Sequence, residues 1–153
     1  AKNETAWEKL HAIWNSSQVK KIYTLLVAGH PQQSGIINEP IAHHPRKKKK
    51  MQIGGKNARP AETKYHVVKK FQKFSLVEAQ IQTGVRHQIR VHLAFLGHPI
   101  FGDALYEKVP SHSKRMFLHL SHIILNDPFV NKMHRWRSGL PKDLQKILDK
   151  LPQ

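Results

Sequence analysis

Twelve histidines and no cysteine set the chemistry open to this 153-residue chain. Without cysteine there are no disulfides, no thiolate zinc sites and no thiol nucleophile. The histidines raise the question of a metal, and His112, His119 and His122 are the nearest to a cluster. Three residues apart on a strand, His119 and His122 are expected on opposite faces. His87 and His92 are spaced poorly for a shared ion on a helix, and no His-Glu-x-x-His occurs. A closed site needs three or four converging ligands, so no metal is expected. Ser34, Ser75 and Ser121 lie outside any Gly-x-Ser-x-Gly, and neither a phosphate loop nor a dinucleotide glycine fingerprint is present.

The remaining chemistry is cationic. Lys and Arg number 26 against 10 Asp and Glu, a formal net charge of +16 and a pI near 10.3. Such an excess points to a polyanion, most commonly nucleic acid. No lysine-rich helix with a bulky apolar face stands out, so a membrane surface is not expected as a partner. The densest charge is Arg46, Lys47, Lys48, Lys49 and Lys50, followed by Gly54, Gly55 and Arg59. Cations in an unbroken run repel one another and do not pack. The run reads as a solvated hairpin tip, a localisation-like signal or a flexible arm that grips phosphates; the net charge favours the arm, which adds affinity without reading sequence.

The elements that must position these residues can be sketched. Ala6, Trp7, Leu10, Ile13 and Trp14 have helical spacing behind Asn3 as a partial N-cap, with both tryptophans expected in the core. Lys21 to Ala28 reads as a buried strand carrying Tyr23. A short extended piece covers Gly35 to Ile37, and His43 to Pro60 reads as a long loop. Thr63–Lys70 and Phe74–Gln82 read as a hairpin. His87–Leu96 is a helix closed by Gly97, with Ile89, Leu93 and Leu96 inward and Arg90 at the flank of that face. A cation at such an edge either snorkels or holds a fixed anion. Phe117–Leu125 is strand-like, and Pro141–Leu151 is an amphipathic helix with Pro141 at its first position. Strands and helices without regular alternation predict an α+β fold with a largely antiparallel mixed sheet and flanking helices.

The stretch Thr83-Gly-Val-Arg-His-Gln-Ile-Arg-Val-His-Leu93, followed by Gly97-His-Pro-Ile100, Gly102-Asp103 and Leu105-Tyr106, resembles the RluA family of RNA pseudouridine synthases. Further segments match that family in order: Lys21-Ile-Tyr23, Ala61-Glu-Thr-Lys-Tyr-His-Val67, Arg115-Met-Phe-Leu-His119 and Leu140-Pro-Lys-Asp143. The resemblance implies isomerisation of uridine to pseudouridine in RNA, ribosomal RNA ahead of transfer RNA. In that chemistry an aspartate attacks a flipped nucleotide, the glycosidic bond breaks, and the uracil turns and rejoins through carbon 5. Tyr23 maps to the tyrosine that stacks on the base and helps remove the carbon-5 proton. Arg90 maps to the basic residue that pairs with the catalytic aspartate. Arg86, His87 and Arg115 join the basic run as candidate RNA contacts. The resemblance implies no cofactor, and the expectation is a cytoplasmic monomer.

Two departures carry consequences. Where the family has Arg-Thr, this chain has Val85-Arg86, which displaces an arginine by one position. The nucleophile's motif, of the form Arg-Leu-Asp, does not occur, and Asp103, Asp127, Asp143 and Asp149 sit in other settings. The chain, which opens at Ala1 without an initiator Met, therefore reads as the C-terminal portion of a catalytic domain. It is expected to be inactive alone, with Arg90's carboxylate partner on a segment upstream. The alternative is a non-catalytic basic RNA-binding module.

Overall fold

The computed structural model describes residues 1–14, 16, 18–107, 113 and 115–152. His112 lies outside the described residues. The fold is α+β. One six-stranded sheet has the order β2-β5-β6-β1-β7-β8, and a separate two-stranded hairpin is β3-β4. The elements in chain order are α1 (Glu4–Trp14), β1 (Val19–Ala28), β2 (Ser34–Ile37), β3 (Ile41–His43), β4 (Met51–Ile53), β5 (Thr63–Lys70), β6 (Phe74–Ile81), α2 (Gln88–Phe95), β7 (Leu118–Asn126), β8 (Met133–Arg137) and α3 (Lys142–Asp149). Every pairing between these strands is antiparallel.

The strand β1 lies between β6 and β7, which accounts for its long apolar run: both edges are hydrogen-bonded and both faces are covered along part of its length. On one face Leu25 and Val27 join Val77, Ala79, Ile89 and Leu93, so α2 docks there. The helix α1 covers the same side through Ile13, against Val19 and Leu125. On the other face Leu26 meets Phe117 and Leu144, so α3 covers one end.

Several expectations change. Asn3 does cap α1, its Oδ1 accepting the Ala6 N–H at 2.8 Å. The tryptophans are not core anchors: Trp7 is 56% exposed and Trp14 39%, because the inward face of α1 is carried by Ile13 with Leu10. The stretch 43–60 is not simply a loop, since Met51–Ile53 pairs with Ile41–His43. Met133–Arg137 adds an edge strand the sequence did not signal; its side chains are mostly exposed, which leaves no inside-outside alternation to detect. Pro141 stands just before α3 rather than at its first position. Among the described residues no helix is long and apolar enough to cross a membrane.

The histidine expectation fails for a physical reason. Tyr23 is opposite Leu120 and Ile22 is opposite His122, so Ser121 is an extra residue in β7. This bulge places His119, opposite Thr24, in register with the same face as His122. Even so, no group of three His, Cys, Asp or Glu among the described residues converges in a metal-binding arrangement.

A buried polar relay ties α2 to the sheet. The Thr83 hydroxyl donates to Gln88 Oε1 at 2.8 Å, and Gln88 Nε2 donates to the Glu62 carbonyl at 2.8 Å and to Thr63 Oγ1 at 3.3 Å. His92, fully buried, meets Thr63 Oγ1 through Nδ1 at 2.8 Å and the Glu39 carbonyl through Nε2 at 2.9 Å. A carbonyl only accepts, so Nε2 carries the proton and Nδ1 accepts from Thr63. Burial holds the His92 pKa below its ordinary 6.5. The unfolded chain therefore takes up this proton first as pH falls. The stability His92 contributes is complete above about pH 6.5 and is lost as the solution is acidified below it. Urea midpoints measured from pH 7.5 to 5 should fall, and less steeply in His92→Gln; equal slopes would contradict the relay's role.

Candidate active site

The site is built where α2 begins. His87 precedes the helix in the left-handed region, φ 57°, and Val85 donates its N–H to Gln88 Oε1 at 3.2 Å. This geometry turns Val85 inward, 8% exposed, beside Ile41, Met51 and Tyr106. Arg86 is consequently exposed to solvent. The one-residue displacement seen in the sequence thus exchanges a side chain in the core for a cation at the surface.

Arg90 lies in the first turn of α2 and does hold a carboxylate. Its Nε donates to Asp103 Oδ2 at 2.7 Å and its Nη2 to Asp103 Oδ1 at 2.6 Å. The Asp103 side chain is 0% exposed and that of Arg90 16%. In this structure the carboxylate that Arg90 holds is that of Asp103. The fork geometry that favours an arginine at such a position is satisfied by a residue thirteen positions along the chain. What obscured it is the intervening turn, which the sequence shows only as punctuation. Gly97 ends α2 at φ 86°, and Gly102 takes φ 79° where an added Cβ would lie 2.3 Å from the Arg115 carbonyl. The chain reverses between these glycines and returns Asp103 to Arg90. Asp103 Oδ1 also accepts the Leu105 N–H at 3.1 Å, so both carboxylate oxygens are occupied.

Tyr106, unremarked in the sequence beyond its motif, is the hub of the site. Its hydroxyl accepts the Met51 N–H at 2.8 Å and lies 3.1 Å from His87 Nδ1. The Arg90 guanidinium lies 5.1 Å from its ring centre and Lys50 Nζ 4.9 Å. Burial raises the Tyr106 phenol pKa, so it stays a neutral hydrogen-bonding group. Burial first, then the Arg90 and Arg86 charges, lower the His87 pKa. The ring at the mouth of α2 is thus biased to the neutral form and can accept as well as donate.

The basic run is not a free arm. It is the turn of the β3-β4 hairpin, where His44 Nδ1 accepts the N–H groups of Arg46 and Lys47 and the Lys50 N–H donates to the Lys47 carbonyl. Arg46, Lys47, Lys48 and Lys49 are exposed, and Lys50 folds back on Tyr106. Arg59 pairs through its backbone with Ile41 at the hairpin's base. Arg115 stands apart from this group in an ion pair with Asp143 of α3.

Tyr23 lies on β1 beside the Ser121 bulge, half-buried on the α2 side of the sheet against the cluster that includes Ile89 and Leu93. Bulges re-aim the side chains next to them. Burial raises the Tyr23 pKa, which keeps its phenol protonated at neutral pH. Tyr23 and Arg90 are therefore carried on one side of the sheet, joined through packed apolar residues.

Residues 1–95 match the family described as RNA pseudouridylate synthase. The chain belongs to this family. A pseudouridine synthase of Chloroflexus aurantiacus is 38% identical over 153 residues, covering 99% of this chain and 48% of the relative. The ribosomal large subunit pseudouridine synthase D of Nitrosomonas europaea is 35% identical over 139 residues, covering 85% of this chain and 40% of its own length. The chain thus spans about half the length of these pseudouridine synthases. The solved structure of human RNA pseudouridylate synthase domain containing 1 superimposes with a TM-score of 0.82 at 24% identity, covering 99% of this chain and 74% of that one, which shows the shared fold. With the ordered motifs, these similarities make the chain an RluA-type family member.

The geometry makes two stability tests. Asp103→Ala leaves the Arg90 guanidinium largely buried and unpaired, a loss of about 3–5 kcal/mol; a cost below about 1 kcal/mol in urea unfolding would contradict a structural clamp. Tyr106→Phe removes the acceptor for Met51 and should cost about 1–3 kcal/mol. Exchange of the Met51 amide, followed by NMR, should speed up in that variant; unchanged protection would count against the hub.

Proposed function

We propose that this chain forms the part of an RNA pseudouridine synthase catalytic domain that carries the tyrosine and the arginine, with ribosomal or transfer RNA as substrate. The observation that supports this most strongly is the placement of Tyr23, at a bulge, and Arg90, on α2, on one side of the sheet in a member of this family. Tyr23 stacks on the flipped uracil, and its protonated phenol orients the base. Arg90 has no hydrogen bond at Nη1 among the described residues, and that edge of the guanidinium can meet a second carboxylate while Asp103 fixes the other.

The nucleophile is proposed to come from outside these 153 residues. Asp103 is sealed and fully bonded, Asp127 accepts from the turn before β8, Asp143 pairs with Arg115, and Asp149 accepts from Gln145. The proposed reaction therefore needs the longer protein, and the chain alone binds RNA without converting uridine. A second reading, a non-catalytic basic RNA-binding module, is favoured by the commitment of Arg90 to Asp103.

Release of tritium from carbon-5-labelled uridine in ribosomal RNA separates the two. The full-length protein should release it, the 153-residue chain should not, and Tyr23→Phe in the full-length protein should slow release by roughly 10-fold, the worth of one orienting hydrogen bond. A full-length protein that binds this RNA and releases no tritium would leave the module reading.

A further inference from the structure

The sheet face turned away from α1 and α2 has its own composition, which the register gives row by row. Ile36, Lys64, Gln80, Ile22, His122 and Arg137 stand opposite one another from β2 to β8 and form one line across the sheet. Cross-strand partners share a face. On one side of this line lie His66, Glu78, Thr24 and His119; on the other lie Lys20, Ile124 and Arg135. The helix α3 covers only the end where Leu26, Leu76 and Phe117 lie.

Lys20, Lys64, Arg135 and Arg137 are exposed here. The one carboxylate in these three rows is Glu78, 3.5 Å from His66; Glu62, just before β5, stands 3.5 Å from Lys64. Two adjoining concavities of about 140 and 360 Å³ both have Ile22 and Glu78 in their walls and make a trough across the strands. The aromatic residue between the two arginines, Trp136, stands opposite Ile123 and so belongs to the other face of the strand.

An apolar protein surface is a poor occupant for this trough, because it would strip water from the exposed Lys20, Arg135 and Arg137 without pairing them. Phosphates pair with them. From Lys64 to Arg137 is four strand spacings, roughly 19 Å, long enough for several nucleotides at a rise of roughly 3.4 Å each. We infer that the open face of the six-stranded sheet is a second RNA-docking surface, separate from the side that carries Tyr23 and Arg90. Its cations hold the phosphodiester backbone across the strands. The inference rests on the proposal that this chain binds RNA.

The test is fluorescence anisotropy of a labelled uridine-containing RNA stem-loop with the 153-residue chain over a series of salt concentrations. Arg135→Gln/Arg137→Gln should weaken binding and flatten the dependence of log K on log salt by roughly 0.7–0.9 per cation removed. Lys64→Gln, at the other end of the trough, should flatten it by about half as much and serves if the double variant does not fold by circular dichroism. Lys2→Gln/Lys9→Gln removes equal charge from the α1 side and should flatten it less. If that control matches the sheet variants, or if only Lys47→Gln/Lys48→Gln in the hairpin lowers the slope, the sheet surface is refuted while RNA binding stands. If the unaltered chain does not bind this RNA, both proposals fall. A dimer by light scattering that Arg135→Gln/Arg137→Gln dissolves would assign the face to a second copy and overturn the inference.

Discussion

The ion pair between Arg90 and Asp103 is the constraint on which the candidate-site side of the structure depends. A guanidinium near the base of α2 and a carboxylate on the following turn are both withdrawn from water. Each would be costly alone, and together they are tolerable because the fork is bidentate and the remaining carboxylate capacity is taken by Leu105. The pair requires the reversal between Gly97 and Gly102, and that reversal places Tyr106 beneath the guanidinium. Tyr106 then fixes β4 through Met51, so the turn that carries the basic run is anchored to the same point. One charge pair thereby orients a helix, a turn and a hairpin.

An arginine that faced only an incoming carboxylate would be free to choose rotamers and would lose that freedom on binding. Arg90 has its side chain fixed along one edge by Asp103 and by the Tyr106 ring. The cost of ordering it is met when the chain folds, and the other edge keeps a fixed direction. The same arrangement explains why Asp103 is unsuited to nucleophilic attack despite lying against the arginine: both of its oxygens are already acceptors.

Much of this fold could be read from the chain. Apolar periodicity located α1, α2, α3 and the strands β1, β5, β6 and β7 to within a few residues, because each has one face that must be buried. The strand β8 and the hairpin strand β4 escaped because they are short, and β8 exposes nearly all its side chains. The tryptophans of α1 misled because aromatic residues at helical spacing imply a core, whereas Ile13 and Leu10 carry the inward contact. Tyr23 and Arg90 stand out as candidates through family motifs and not through spacing. The partner of Arg90 was not legible, since it depends on two left-handed glycines setting the path of a turn. The shared face of His119 and His122 was hidden by a single bulge residue, Ser121, which reverses the parity of the strand.

The molecule presents two different surfaces. The side with α1 and α2 is apolar inside and carries the tyrosine and arginine; the opposite side is an open sheet with charge spread over it. The central claim, that Arg90 and Asp103 act as one unit holding the first of these together, is tested most directly by a double-mutant cycle. Urea unfolding of the chain with Arg90→Met, Asp103→Ala and both changes should give a coupling energy of about 1–3 kcal/mol, the double variant losing less than the sum of the single ones. Additivity to within about 0.3–0.5 kcal/mol would contradict the account.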